Sequence, residues 1–240
     1  MANKKKETAE RAARVEQMRA AQAAKERRRT LLVAGAATAI VAVLVVLVVV
    51  VVLDFRRDNP DELPLIGVAA GAADCDPVED DDAAGDDVSN HVGPGTPSAD
   101  VDVVEYDTVP PSYGPHYASP QYPAAPFYTA EDRPRMENLV HNLEHGYTVV
   151  WYAEDLPQEQ VDQLEQIASV ARDDDATGGK FIVSAWDDAY GELPEGKQVA
   201  LSHWAAESGH RQLCGSVSGE VVESFITDFP ASDSPEPNGA

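Results

Sequence analysis

Hydrophobic positions follow two different patterns along this chain. From Leu31 to Leu53 they form an unbroken run of Val, Leu, Ala and Ile, relieved only by Gly35 and Thr38. As a helix these 23 residues would reach about 34 Å, enough to cross a hydrocarbon core of about 30 Å. Valine is a poor former of isolated helices, but in lipid the cost of unpaired backbone groups leaves helix as the accessible state. A cleaved signal peptide has a shorter apolar core, about 7–15 residues, and a small-residue cleavage site. Here the run leads directly into Asp54-Phe55-Arg56-Arg57, and Cys75 is too distant to carry a lipid. A retained single transmembrane helix is expected over residues 31–53.

Beyond the run the pattern becomes periodic. Residues 54–100 are rich in Gly, Pro, Ala and Asp, including Glu79-Asp80-Asp81-Asp82, and bury little apolar surface; they are expected to form an acidic flexible stalk. Val101–Tyr106 reads as a short strand. Val109–Tyr128 carries Pro110, Pro111, Pro115, Pro120, Pro123 and Pro126 among Tyr and Phe, which predicts an extended loop with its aromatics packed on the domain. Met136, Leu139, Val140 and Leu143 recur at helical spacing between a capping Asp132, Pro134 and a terminating Gly146, predicting a helix over 132–145. Strands follow at Tyr147–Tyr152, Phe181–Trp186 and Val199–Trp204, with helices at Pro157–Arg172 and Ser218–Phe229. A folded domain over 101–230 of α+β class is expected, with helices packed on a mixed or antiparallel sheet, and a disordered tail over 231–240.

Charge adds an orientation. Residues 1–29 hold ten of the 18 Lys and Arg with four acidic side chains; beyond them eight basic residues face 38 of the 42 Asp and Glu. A basic tail over 1–30 ahead of the span places the N-terminus in the cytoplasm, against anionic lipid, and the C-terminal domain outside it in the cell membrane. The acidic exterior excludes nucleic acid as a partner; an envelope protein remains a candidate partner. Cys75 and Cys214 both fall on the exported side, where a disulfide would tie the stalk to the end of the fold.

Candidate chemistry concentrates in Glu137-Asn138-Leu139-Val140-His141-Asn142-Leu143-Glu144-His145-Gly146. On a helix His141 and His145 are neighbours one turn apart, opposite the apolar stripe, with Glu137 and Glu144 beside them. Two such imidazoles can chelate zinc or copper, with His116 or His91 to complete the set and Glu137 and Glu144 binding the ion or orienting the rings. Alternatively the same side chains pin the Pro/Tyr loop to the helix by hydrogen bonds. His141-Asn142-Leu143-Glu144-His145 also matches the H-x-x-E-H pattern of inverted zinc peptidases, although those need a further acidic ligand and here Gly146 ends the helix. Pro110-Pro111-Ser112-Tyr113 spells a proline–tyrosine docking motif for cytosolic modules, which an exported location argues against.

Taken in order, Pro110-Pro111-Ser112-Tyr113-Gly114-Pro115-His116 and Leu139-Val140-His141-Asn142-Leu143-Glu144-His145-Gly146 followed by a hydrophobic strand resemble domain-of-unknown-function family 3105, over about residues 90–228. Ser112-Tyr113-Gly114 departs mildly from the Thr-Ser-Gly frequent in that family. The resemblance implies a fold and a topology, an actinobacterial-type domain behind one N-terminal transmembrane helix, and no activity. The leading expectation is a membrane-anchored, extracytoplasmic, non-catalytic module that binds an envelope partner or is structural. A transition-metal-binding protein is the second reading, and a metal-dependent hydrolase with Glu144 as base the third.

Overall fold

A computed structural model describes residues 62–83 and 90–239, together with residues 14, 16, 18–19, 22, 25–28 and 43–47 near the N-terminus. The chain divides into two compact units, Met1–Asn59 and Pro60–Ala240. Of the expected membrane span, residues 43–47 are helical with exposed side chains, and the rest lies outside the described residues, as does most of the basic tail. Among the described residues no helix is long and apolar enough to cross a membrane.

The second unit is an α+β fold on a mixed six-stranded sheet. Its strands are β1 (Glu79–Asp82), β4 (Phe127–Tyr128), β5 (Thr148–Tyr152), β6 (Phe181–Ala185), β7 (Val199–Trp204) and β8 (Ser208–Cys214), in the order β1-β8-β7-β5-β6-β4. β4 and β5 run parallel to β6, while β7 is antiparallel to β5, and β8 pairs antiparallel with both β7 and β1. A separate parallel pair joins β2 (His91–Val92) to β3 (His116–Tyr117). Three helices complete the unit: α1 (Met136–Glu144), α2 (Gln158–Arg172) and α3 (Gly219–Asp228).

β5, β6 and β7 are buried at every position because both sheet faces are covered. Alternation sends Val149, Trp151, Ile182 and Ala200 to one face, against Met136, Leu139, Val140 and Leu143 of α1. Val150, Tyr152, Phe181, Val183 and Leu201 point to the other face, against Leu164, Ile167 and Ala168 of α2 and Val222, Phe225 and Ile226 of α3. The apolar stripe expected on α1 is therefore its sheet-facing side.

Three expectations are corrected. Residues 62–83 are not a solvated stalk: Leu63, Ile66 and Ala73 lie in the α2/α3 core, and Glu79–Asp82 is an edge strand. An acidic strand is stable here because its partner strand is basic, with Arg211 paired to Glu79 and His210 Nδ1 2.7 Å from Asp80 Oδ1. The disulfide Cys75–Cys214 fastens this strap to β8. Val101–Tyr106 is not a strand; Val104 is buried, and its N–H goes to a side chain rather than to a ladder. Residues 231–239 are folded, with a 3₁₀ turn at Ala231–Asp233 and a buried Ser234. Gly146, at positive φ just past α1, makes that docking possible, since a Cβ there would collide with the Ala231 carbonyl and the Ser234 hydroxyl.

The Pro/Tyr segment crosses the other side of α1, covering the polar face that the apolar stripe leaves. Pro110, Pro111 and Ser112 are buried, so the proline–tyrosine motif is part of the packing and is not presented for docking. Tyr113 lies edge-on to Trp204, and Tyr122 projects into solvent.

Candidate metal centre

Every residue of α1 except Asn138 is buried, including Glu137, His141, Asn142 and Glu144. A short helix with a polar face can be buried all round only if each polar group finds a partner. Asn142 does so on the loop, accepting from Gln121 N at 2.9 Å and donating to Gln121 O at 3.2 Å. Glu137 accepts from Val104 N at 3.0 Å and from the Tyr190 hydroxyl, with Arg135 at 3.4 Å. It therefore anchors the 101–106 segment and orients none of the histidines, contrary to the role expected for it.

His141 and Glu144 face a different cover. The β2–β3 register sets His91 directly beside His116, and their rings meet edge to face with centroids 4.9 Å apart. His141 stacks on His91 at 5.1 Å and meets His116 at 4.8 Å. His91, His116, His141 and Glu144 each offer a ligand atom, all within 4.8 Å of one another. His116 and Glu144 lie at the floor; the half-exposed His91 forms the mouth. Trp204 closes the inner side, edge-on to His116 at 5.7 Å.

The hydrogen bonds set the tautomers. His116 Nδ1 is 2.8 Å from Gly114 O, and His141 Nδ1 is 2.6 Å from Tyr117 O. A carbonyl can only accept, so both Nδ1 atoms carry hydrogen, and in the neutral ring Nε2 keeps its lone pair. His116 Nε2 faces Glu144 Oε2 at 3.0 Å, and His141 Nε2 faces His145 Nε2 at 3.1 Å. Burial pushes the His141 pKa down to about 4; the Tyr117 carbonyl opposes this and the nearby His116 and His145 add to it. The ring is thus neutral at pH 7. A backbone carbonyl holding Nδ1–H and leaving Nε2 toward the cluster is how proteins orient metal-binding histidines.

Of the histidines expected at a site, His116 and His141 converge, and His145 lies next to them, 4.5 Å from His141 between centroids. Glu144, expected as an orienting or ligating group, stands at a ligand position. His91, expected in the stalk and as a candidate to complete the set, converges with the others; its parallel pairing with His116 joins two segments through backbone bonds that no local pattern announces. Glu236, in the supposed disordered tail, lies 3.5 Å from His145 Nε2, and its sequence context carries no signal for that contact.

The arrangement can hold a cation, because three imidazoles and one carboxylate present ligand atoms inward from a rigid frame. Such a set suits zinc, copper or another first-row divalent ion. No curated protein and no solved structure matches the chain. The family model described as a protein of unknown function (DUF3105) matches residues 99–240, which takes in α1, β3 and the loop carrying His116, so the chain belongs to the DUF3105 family.

Proposed function

We propose that this protein is a membrane-anchored, extracytoplasmic metal-binding protein that holds a zinc- or copper-type ion at His91, His116, His141 and Glu144. The observation that carries the reading is the convergence of these four ligand atoms within 4.8 Å, with Nδ1 of His116 and His141 held by backbone carbonyls. With its Nδ1–H held by Gly114 O, His116 meets the Glu144 carboxylate through a cation at Nε2, either a metal ion or a proton. A cation, or failing that a shared proton, is what such a pair of acceptors calls for.

The same geometry favours binding over hydrolysis. Glu144, the base of the hydrolase reading, is 3.0 Å from His116 Nε2, among the ligand atoms. Four protein ligands would close a tetrahedral site, whereas catalytic zinc keeps a position for water. Support for the location comes from the apolar run at 31–53, from the basic residues ahead of it and from the Cys75–Cys214 disulfide, a bond typical of oxidising compartments.

The test is elemental analysis and zinc titration of the full-length chain, purified in detergent without a histidine tag. Near-stoichiometric metal is expected, with a melting temperature that rises on adding Zn²⁺; both effects should vanish in a His116→Ala/His141→Ala chain that still folds. At a free Zn²⁺ concentration 100 times the dissociation constant, stabilisation should reach about 2.7 kcal/mol. Absence of bound metal together with an unmoved melting temperature would reject the reading.

A further inference from the structure

A second set of ligand atoms converges beside the first. Glu144, His145 and Glu236 each offer one, all within 4.8 Å of one another. Glu144 ends α1 and His145 caps it, whereas Glu236 comes from the C-terminal segment about ninety positions further on. That segment is held in place by backbone and side-chain bonds together. Glu236 N donates to Glu144 O at 3.0 Å. Lys180 Nζ donates to His145 O at 2.6 Å, Pro237 O at 2.8 Å and Gly239 O at 3.0 Å. Gly239 lies so close to the His145 imidazole that a Cβ would overlap the ring. The frame thus brings Glu236 Oε2 to 3.5 Å from His145 Nε2, which is itself 3.1 Å from His141 Nε2.

We propose that the centre is dinuclear, with Glu144 shared between the ion at His91, His116 and His141 and a second first-row divalent ion at His145 and Glu236. The proposal rests on the metal-binding reading above. Four imidazoles and two carboxylates meet in one contiguous group, more donors than a four-coordinate ion uses. A carboxylate common to both groups is the usual bridge where two ions lie about 3.5–4 Å apart. Two imidazole nitrogens at 3.1 Å require a hydrogen between them, and binding of two ions would displace that proton and turn each ring to its own cation. The two carboxylates offset one of the two divalent ions, and the charge of the other falls to the strongly acidic exterior. The second ion would also fasten the C-terminal segment to α1 through Glu236.

Native mass spectrometry of the full-length chain in detergent, titrated with Zn²⁺ alone, reads this directly. The wild-type chain should take two ions, and Glu236→Gln and Glu236→Ala chains one each. The Glu236 side chain is 60% exposed, so these variants should match wild type in metal-free melting temperature. Hydrogen exchange at residues 234–239 should slow between the first and second equivalents. One ion in the wild-type chain overturns the dinuclear centre and leaves the first site standing, and two in both variants overturns the assignment of the second ion to Glu236. A second ion that leaves exchange of 234–239 unchanged overturns the assignment to Glu236. No ion in any chain removes the metal-binding reading itself.

Discussion

Glu137 and His141 sit one turn apart on α1, and burial acts on their surroundings in opposite directions. Beside Glu137, burial and then the carboxylate charge push the Tyr106 and Tyr190 hydroxyls far above the usual phenol range, so both stay protonated donors. At His141 burial depresses the pKa to about 4, so the ring stays neutral. The pH dependence follows from the sign of that shift. Between about pH 6.5 and 4 the unfolded chain binds a proton at His141 that the folded chain refuses, so metal-free stability is full above 6.5 and falls as pH drops. At about 1.4 kcal/mol per unit, the loss through this residue is on the order of 3 kcal/mol. Denaturant unfolding of metal-free protein at a series of pH values should show it, and His141→Gln should flatten that slope. An unchanged slope in the variant would assign the acid sensitivity elsewhere.

At the scale of elements, the strap over 63–82 is the informative piece. It buries Leu63, Ile66 and Ala73, pairs β1 with β8, and is bonded through Cys75 to Cys214, a sequence separation of 139 residues. Closing so long a loop stabilises the fold by roughly 4–5 kcal/mol in the chain-entropy model. Cys75→Ser is therefore expected to lower stability by up to about that amount, with faster hydrogen exchange over 63–82 while β5 and β6 remain protected. Uniform loss of protection across the sheet would mean that the strap and sheet fold as one cooperative unit. The strap also marks the limit of what local pattern conveys. β5, α2, β6, β7 and α3 were legible because their apolar positions recur at strand or helix period. Glu79-Asp80-Asp81-Asp82 has no strand propensity and pairs only because Arg211 and His210 face it, and Ser208–Cys214 is polar enough to read as loop. Val101–Tyr106 shows the converse: its alternation is real, but Glu137 and α1 use it as a cover. At the site, the spacing of His141, Glu144 and His145 was visible on one helix. His91 could be named there only as one candidate to complete the set, and Glu236 not at all, because their approach depends on pairings between segments distant in sequence.

For the whole molecule, location governs what the centre can meet. An anchor at 31–53 with the basic tail inside would put the folded unit on the outer face of the membrane, in contact with external metal. In intact cells, added protease should digest the folded unit once it is unfolded or its disulfide reduced, while an epitope fused to the N-terminus stays protected until the membrane is permeabilised. Loss of the N-terminal epitope in intact cells would reverse that topology, and protection of both ends would abolish it. If the chain is anchored as proposed, the Cys75–Cys214 bond carries a further consequence. His91, His116, His141, Glu144 and His145 all lie within the loop it closes. With the anchor at 31–53, a single cut anywhere between residues 76 and 213 would leave both products joined to the membrane-side chain, so shedding the ligands would take two cuts, one cut before residue 75, or one cut together with reduction of the bond.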